Sequence, residues 1–140
     1  MKKYSPLTIA STLVFLAGVV ALIFGRALTN HSIPGYILLS ISVVYLFSGW
    51  YIFRGYYPEG HPLVLLLYSY IYASVFMSFA MIVFVWPLSR TIICVAPLWA
   101  LLHLLVTYAI RKGIPREGFI QFLVEGSLML VLIIYLIIKG

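Results

Sequence analysis

Charge is what this chain most lacks. Of its 140 residues 9% are charged, three acids against nine lysines and arginines. A soluble domain is about a quarter charged, so this chain cannot cover a water-exposed surface. Cysteine occurs once, as Cys94, which excludes an internal disulfide and any multi-cysteine metal site. Because it lies inside an apolar run, Cys94 is expected to be a small buried hydrophobe. Also missing are a phosphate-binding glycine loop, a nucleophile–base motif and paired acids at metal-binding spacing. The basic excess forms no patch with interleaved aromatics outside the apolar runs, so no nucleic-acid partner is expected. No metal or cofactor is expected either. A single histidine inside an apolar run, His103, gives no bis-histidine haem site, and His31 and His61 fall in loops on opposite sides.

What is present is apolar. Hydrophobic residues make up 64% of the chain and the mean hydropathy is +1.14. They fall into five runs, at 7–25, 33–53, 62–86, 91–110 and 119–138. Each is near the roughly 20 residues that cross a bilayer as a helix. The separators RALTNHS, RGYYPEGH, PLSR and RKGIPREG are short, and Pro or Gly punctuates each junction or its edge. The fold class is therefore all-α: one polytopic transmembrane domain, a bundle of about five helices, with PLSR as the tightest turn. The N-terminus begins like a signal peptide, but its apolar run exceeds the usual 7–15 residues. It ends at Arg26 without a small-x-small cleavage site. It is read as a retained first helix.

Orientation follows from lysine and arginine bias in short loops. With the N-terminus inside, the cytoplasmic side holds Lys2, Lys3, Arg54, Arg111, Lys112 and Arg116, and the other side Arg26, Arg90 and Lys139. Six against three favours N-in and C-out. Trp50, Tyr51, Tyr56 and Tyr57 cluster at the inner end of the second run and Trp86 marks the outer end of the third, as headgroup anchors do. The expected setting is an integral, multi-pass membrane protein, in the plasma (inner) membrane if bacterial. Asn30-His31-Ser32 matches a glycosylation sequon, but its short loop abuts the bilayer.

The two inner loops resemble each other. YIFRGYYPEG from Tyr51 aligns with YAIRKGIPREG from Tyr108 with one inserted residue. Repeated units are common in membrane proteins, and a duplicated hairpin would suggest a site between the copies. The flanking helices do not extend the match, and Pro, Glu, Gly and Arg are common in any short cytoplasmic turn.

The most informative polar residues lie on the last hairpin. Counted from Ile114, His103 is eleven residues before and Glu125 eleven after, while Thr107 and Gln121 are seven before and seven after. Equidistant residues of an antiparallel hairpin share a depth. His103 and Thr107 lie on one helix face at i,i+4, as do Gln121 and Glu125. The two polar stripes can face each other about 10 Å inside the cytoplasmic boundary. A charge alone at a helix centre costs roughly 2.5–3.5 kcal/mol. Glu125 can relax by taking a proton, or by ionising beside a protonated His103. The structural reading is that the stripe only fixes helix packing, since interhelical hydrogen bonds average about 0.6 kcal/mol. The functional reading makes it a proton, cation or substrate site.

Other groups join this level if they face inward: Tyr45 and Ser48 in the second run, and Tyr68, Ser69 and Tyr72 in the third. Trp99 is on the His103 side at i−4 and is expected to close the outer end of any cavity. Pro97 removes one backbone donor from the fourth helix and can kink it. Ala17, Ala21 and Gly25 form a small-residue stripe on the first helix, and Ser74 and Ser78 a weaker one on the third. Both suit a neighbouring helix or a second subunit.

Three function classes fit these features. The first is a small transporter or channel component with an intramembrane His–Glu site, assembled as an oligomer because five helices leave little room for a path. The second is a non-catalytic membrane subunit or scaffold of a larger complex. The third is an intramembrane enzyme acting on a lipid, with His103 as base and Glu125 as its orienter. It ranks last because no catalytic motif accompanies the pair. The expected partners are the bilayer and a second copy or another membrane protein.

Overall fold

Apolar runs this long keep their backbone bonded in hydrocarbon only by closing each hydrogen bond within a helix. The computed structural model describes residues 6–27, 32–55, 57, 61–84, 87 and 89–139. The regular elements among them are all helical: α1 (Pro6–Ala27), α2 (Ser32–Ile52), a 3-10 turn (Phe53–Gly55), α3 (Pro62–Phe84), α4 (Ser89–Ala109) and α5 (Arg116–Lys139). Each falls within a few residues of its apolar run. Four stretches, Ile33–Ile52, Pro62–Phe84, Arg90–Ala109 and Gly118–Ile138, are long and apolar enough to cross a membrane. α1 has 22 residues, about 33 Å of helix. Its continuous apolar segment is Ile9–Ile23.

Helix ends follow local chemistry. Pro6 and Pro62 open α1 and α3, positions where a missing N–H costs nothing. His61 caps α3: its Nδ1 accepts from the Leu63 amide at 3.1 Å, and its carbonyl from the Val64 and Leu65 amides at 3.0 and 3.2 Å. After α4 the chain turns through Gly113, whose amide bonds the Ile110 carbonyl at 3.0 Å. Arg111 folds back over the Tyr108 ring, 4.0 Å from its centroid, and donates to the Tyr108 carbonyl at 2.9 Å. At the opposite end Arg90 donates to the Ile137 carbonyl at 3.3 Å and ties the start of α4 to the last turn of α5.

α3 is the central helix. Buried residues make up 61% of its apolar window, against 28–33% in the other three spans. α1, α2 and α4 pack around it, while α5 packs on α4 and reaches α3 through side chains. The outer faces carry Leu13, Phe47, Leu98, Leu105, Val131 and Ile138, all exposed. In water so broad an apolar surface would drive association; in a bilayer it meets acyl chains.

The α2–α3 contact is close and small. Ser42 donates to the Ala73 carbonyl at 2.7 Å, and Ser69 to the carbonyl of Tyr45. Gly49 lies directly over Ser69: a Cβ there would fall 2.5 Å from Ser69 Oγ and 3.1 Å from its Cα. Only a glycine lets the two backbones come this near.

Two expectations, for Cys94 and Ser48, meet a different outcome. Cys94 is exposed on the outer face of α4, not buried, because the inward face of that helix runs through Ile93 and Ala96. Ser48 also points outward. α4 continues through Pro97. The two similar loops lie at the same end, with the Tyr57 hydroxyl beside Gly113. Their described parts fold differently. The first tucks Phe53 fully into the core, whereas the second buries Ile114 and leaves Arg111 and Lys112 exposed. Lys2, Lys3, Asn30, His31, Tyr56, Glu59, Trp86 and the rest of 58–60 lie outside the described residues.

Candidate intramembrane polar site

The inward face of α4 is Ile93, Ala96, Ala100, His103 and Thr107, all buried and spaced by three or four residues. Its two alanines keep that face low, so larger side chains from α3 and α5 can reach the two polar residues. The inward face of α5 is Phe122, Glu125, Gly126, Met129 and Ile133. α3 contributes Tyr68 and Tyr72, one turn apart and both 0% exposed.

These residues form two hydrogen-bonded rungs. In the first, Thr107 Oγ1 donates to the His103 carbonyl of its own helix at 2.8 Å and lies 2.7 Å from Tyr68 Oη. Since the threonine proton is committed to the carbonyl, the Tyr68 phenol is the donor between them. In the second rung, Tyr72 Oη donates to Glu125 Oε1 at 2.6 Å and stands 3.1 Å from His103 Nε2. The phenol has one proton, so Nε2–H donates to Tyr72 in this arrangement, a tautomer assigned from the network. The other ring nitrogen, Nδ1, is buried with no partner among the described residues. It faces Gly126, where a Cβ would fall 2.5 Å from Nδ1 and 2.9 Å from Cε1.

Aromatic rings border both rungs. Phe122 stacks on Tyr68 at 4.1 Å between centroids and meets His103 edge-on at 5.6 Å. Phe53, from the turn after α2, is 4.5 Å from Tyr72. Tyr45 approaches Tyr72 at 5.0 Å, and Phe15 of α1 at 6.0 Å. Glu125 is only 3% exposed and His103 is 0% exposed. A carboxyl, a phenol and an imidazole thus stand in series, shielded by hydrocarbon and ring carbon. Such a series can take up, hold and pass a proton. Among the described residues no three of His, Cys, Asp and Glu come together, so this donor set suits a proton better than a multidentate metal ion.

His103, Thr107 and Glu125 come together with Tyr68 and Tyr72, and the Tyr45 ring borders them. The expected facing of the two stripes takes another form, because α3 supplies Tyr72 between His103 and Glu125, and Tyr68 as the partner of Thr107. Gln121 is half-buried at the edge of the α5 inward face. Trp99 does not cap the site. It meets the exposed Tyr70 edge-on at 5.3 Å and lines a shallow groove of about 320 Å3 with Ser42, Ser74 and Met77. It sits on the flank of α4, one step from the Ala96–Ala100–His103 face. Sequence reasoning missed the bridging place of Tyr72, the packing of Phe53 and Phe122, and the close approach at Gly126. A signal for the first was present: Tyr72 and His103, and likewise Tyr68 and Thr107, are equidistant from the Pro87–Leu88 bond at the start of the PLSR turn.

Comparison with family models, with curated proteins and with solved structures finds no significant match.

Proposed function

We propose that this chain is a small transporter or channel component whose working site is the His103–Glu125 pair. The observation that supports it most is that both residues are buried at one level and share a single hydroxyl, that of Tyr72. Ionisable residues at membrane depth are costly to insert, and where they occur they commonly serve ion or proton movement. In this reading Glu125 alternates between protonated and ionised forms as a proton or other cation passes. The N-terminus lies in the cytoplasm, placed there by the lysine and arginine bias. The membrane is the plasma (inner) membrane if the source is bacterial. Several copies assemble, since five helices provide little room for a path.

The test is ion flux into proteoliposomes from about pH 5 to about pH 8, comparing the wild-type chain with Glu125→Gln and His103→Ala. Loss of flux in both variants, with insertion intact, is the expected result. Wild-type flux no greater than that of empty vesicles would remove the transport reading.

A second reading, a non-catalytic subunit of a larger complex, draws on a different observation. An apolar groove of about 430 Å3 runs between α1 and α2, lined by Val14, Ala17, Ile33, Tyr36 and Ile37. A partner helix fits such a groove. This reading expects a stable copurifying membrane protein and little effect of Glu125→Gln.

A further inference from the structure

We propose that the phenol hydroxyl of Tyr72 carries the proton between His103 and Glu125, which makes the proton itself the species this site conducts or couples. The inference rests on the transport reading and deepens it by naming carrier and cargo.

Tyr72 Oη is in hydrogen-bond contact with both groups, 2.6 Å from Glu125 Oε1 and 3.1 Å from His103 Nε2. Its one proton points to the carboxyl and its lone pairs accept from the imidazole. When His103 is an imidazolium it holds a proton on each ring nitrogen. The Nε2–H bond then breaks as an O–H bond forms on Tyr72 Oη. The original phenol O–H breaks in turn, and its proton bonds Oε1 of the Glu125 carboxylate. Imidazolium and carboxylate become neutral imidazole and carboxylic acid, while the phenol begins and ends neutral. One proton has crossed from α4 to α5 through α3.

After the transfer every hydrogen bond in the series points the other way. The carboxylic acid donates to Tyr72, and Tyr72 donates to Nε2. Resetting needs Glu125 to release its proton, the phenol hydroxyl to turn back toward the carboxylate, and His103 to take up one proton on Nε2, so that one proton in and one proton out close the cycle. Nδ1, which has no hydrogen-bond partner among the described residues, is the atom that accepts the proton first making the ring an imidazolium.

The neighbouring rung shows what a purely structural arrangement looks like. Tyr68 donates to Thr107, and Thr107 donates to a backbone carbonyl. No group at its end exchanges a proton near neutral pH, so that rung holds helices together and conducts nothing. Titratable groups around the relay include Tyr68 of α3, Tyr45 of α2, His103 of α4 and Glu125 of α5. α1 brings Phe15 to the Tyr72 ring. The 3-10 turn brings Phe53, with half-buried Arg54 next along the chain.

The test is proton uptake by vesicles holding the full chain and an internal pH-sensitive dye. Tyr72→Phe keeps the ring and removes only the hydroxyl, and should lower flux about 100-fold, the scale on which a positioned proton-transfer group acts. In that variant the infrared carbonyl band of protonated Glu125, assigned by its disappearance in Glu125→Gln, should still rise on acidification. Tyr72→Phe flux at the wild-type level, with flux lost in Glu125→Gln and His103→Ala, would overturn the relay and leave the transport reading standing. If Glu125→Gln also keeps full flux, the transport reading itself fails and the relay with it. Tyr72→3,5-difluorotyrosine keeps ring, hydroxyl and fold but makes the phenol more acidic, so the flux–pH profile should move. An unmoved profile overturns the relay.

Discussion

α3 is joined to its neighbours by two different kinds of contact. Toward α2 the bonds run from serine hydroxyls to backbone carbonyls, Ser42 to Ala73 and Ser69 to Tyr45, with Gly49 lying on Ser69. Toward α4 and α5 they run among phenols, an imidazole and a carboxyl. A serine is an inexpensive group to place in a helix, because its hydroxyl can always turn to its own i−4 carbonyl, as Ser78 does to Ser74 at 2.9 Å. An acid has no such refuge, and at a helix centre in lipid its charge costs roughly 2.5–3.5 kcal/mol. Since serines and a glycine suffice to hold α2 against α3, gluing helices does not by itself account for Glu125 and His103. The dearer contact needs a further reason, and proton movement is one.

The largest test of this difference sets two glycines against each other. At Gly126 a methyl group would fall 2.5 Å from His103 Nδ1 and 2.9 Å from Leu104 Cδ2. The imidazole cannot easily retreat, because Tyr68, Tyr72 and Phe122 surround it. At Gly49 the obstacle includes the Ser69 backbone. Gly126→Ala and Gly49→Ala should each cost about 1–3 kcal/mol, the range for overpacking, measured by unfolding in mixed detergent micelles. Flux per folded molecule should separate them: Gly126→Ala loses it and Gly49→Ala keeps it. If both lose flux alike, the two contacts of α3 do not differ in the proposed way.

Much of this was legible before any coordinates. Long apolar runs with Pro and Gly at their edges leave little freedom in where a membrane helix begins and ends, so the five elements follow from the sequence. The hairpin turn put His103 and Glu125 at one depth by counting alone. Depth, however, is one coordinate, and rotation about each helix axis is the other. The helices are apolar nearly all round, so no polar face reveals which way they turn; Cys94 and Ser48 point outward and Trp99 sits on a flank for this reason. Tyr72 was visible as one of several polar groups at that level, but its place between His103 of α4 and Glu125 of α5 depended on how α3 inserts beside α5, a helix not adjacent to it in sequence. Counting outward from the Pro87–Leu88 bond would have paired it with His103, though not with Glu125.

A smaller effect compares single hydrogen bonds from the two contacts. Thr107→Val keeps the side-chain shape and leaves the fully buried Tyr68 hydroxyl without the partner it has at 2.7 Å. An unsatisfied buried donor costs about 1–3 kcal/mol. Ser42→Ala removes one hydroxyl from a carbonyl that keeps its bond within α3, so its loss should be near the membrane average of about 0.6 kcal/mol. Equal losses would mean that the Tyr68 phenol finds a new partner, and that the rung is looser than its 2.7 Å contact suggests.

The smallest effect belongs to Arg90, which touches neither contact of α3. Its guanidinium is exposed and reaches the Ile137 carbonyl at 3.3 Å. A cation beside a helix C-terminus contributes about 0.3 kcal/mol when exposed, so Arg90→Ala should scarcely change stability and should leave flux per molecule intact. It also removes one cation from the side holding the C-terminus, turning six against three into six against two. A stronger bias in the same direction must preserve insertion, which cysteine labelling at the two ends of the chain can read. Arg90→Ala that inverts the chain would sink the N-in orientation. With it would go the assumption that His103 and Glu125 lie nearer the cytoplasmic face, and a proton leaving Glu125 would be released toward the other side.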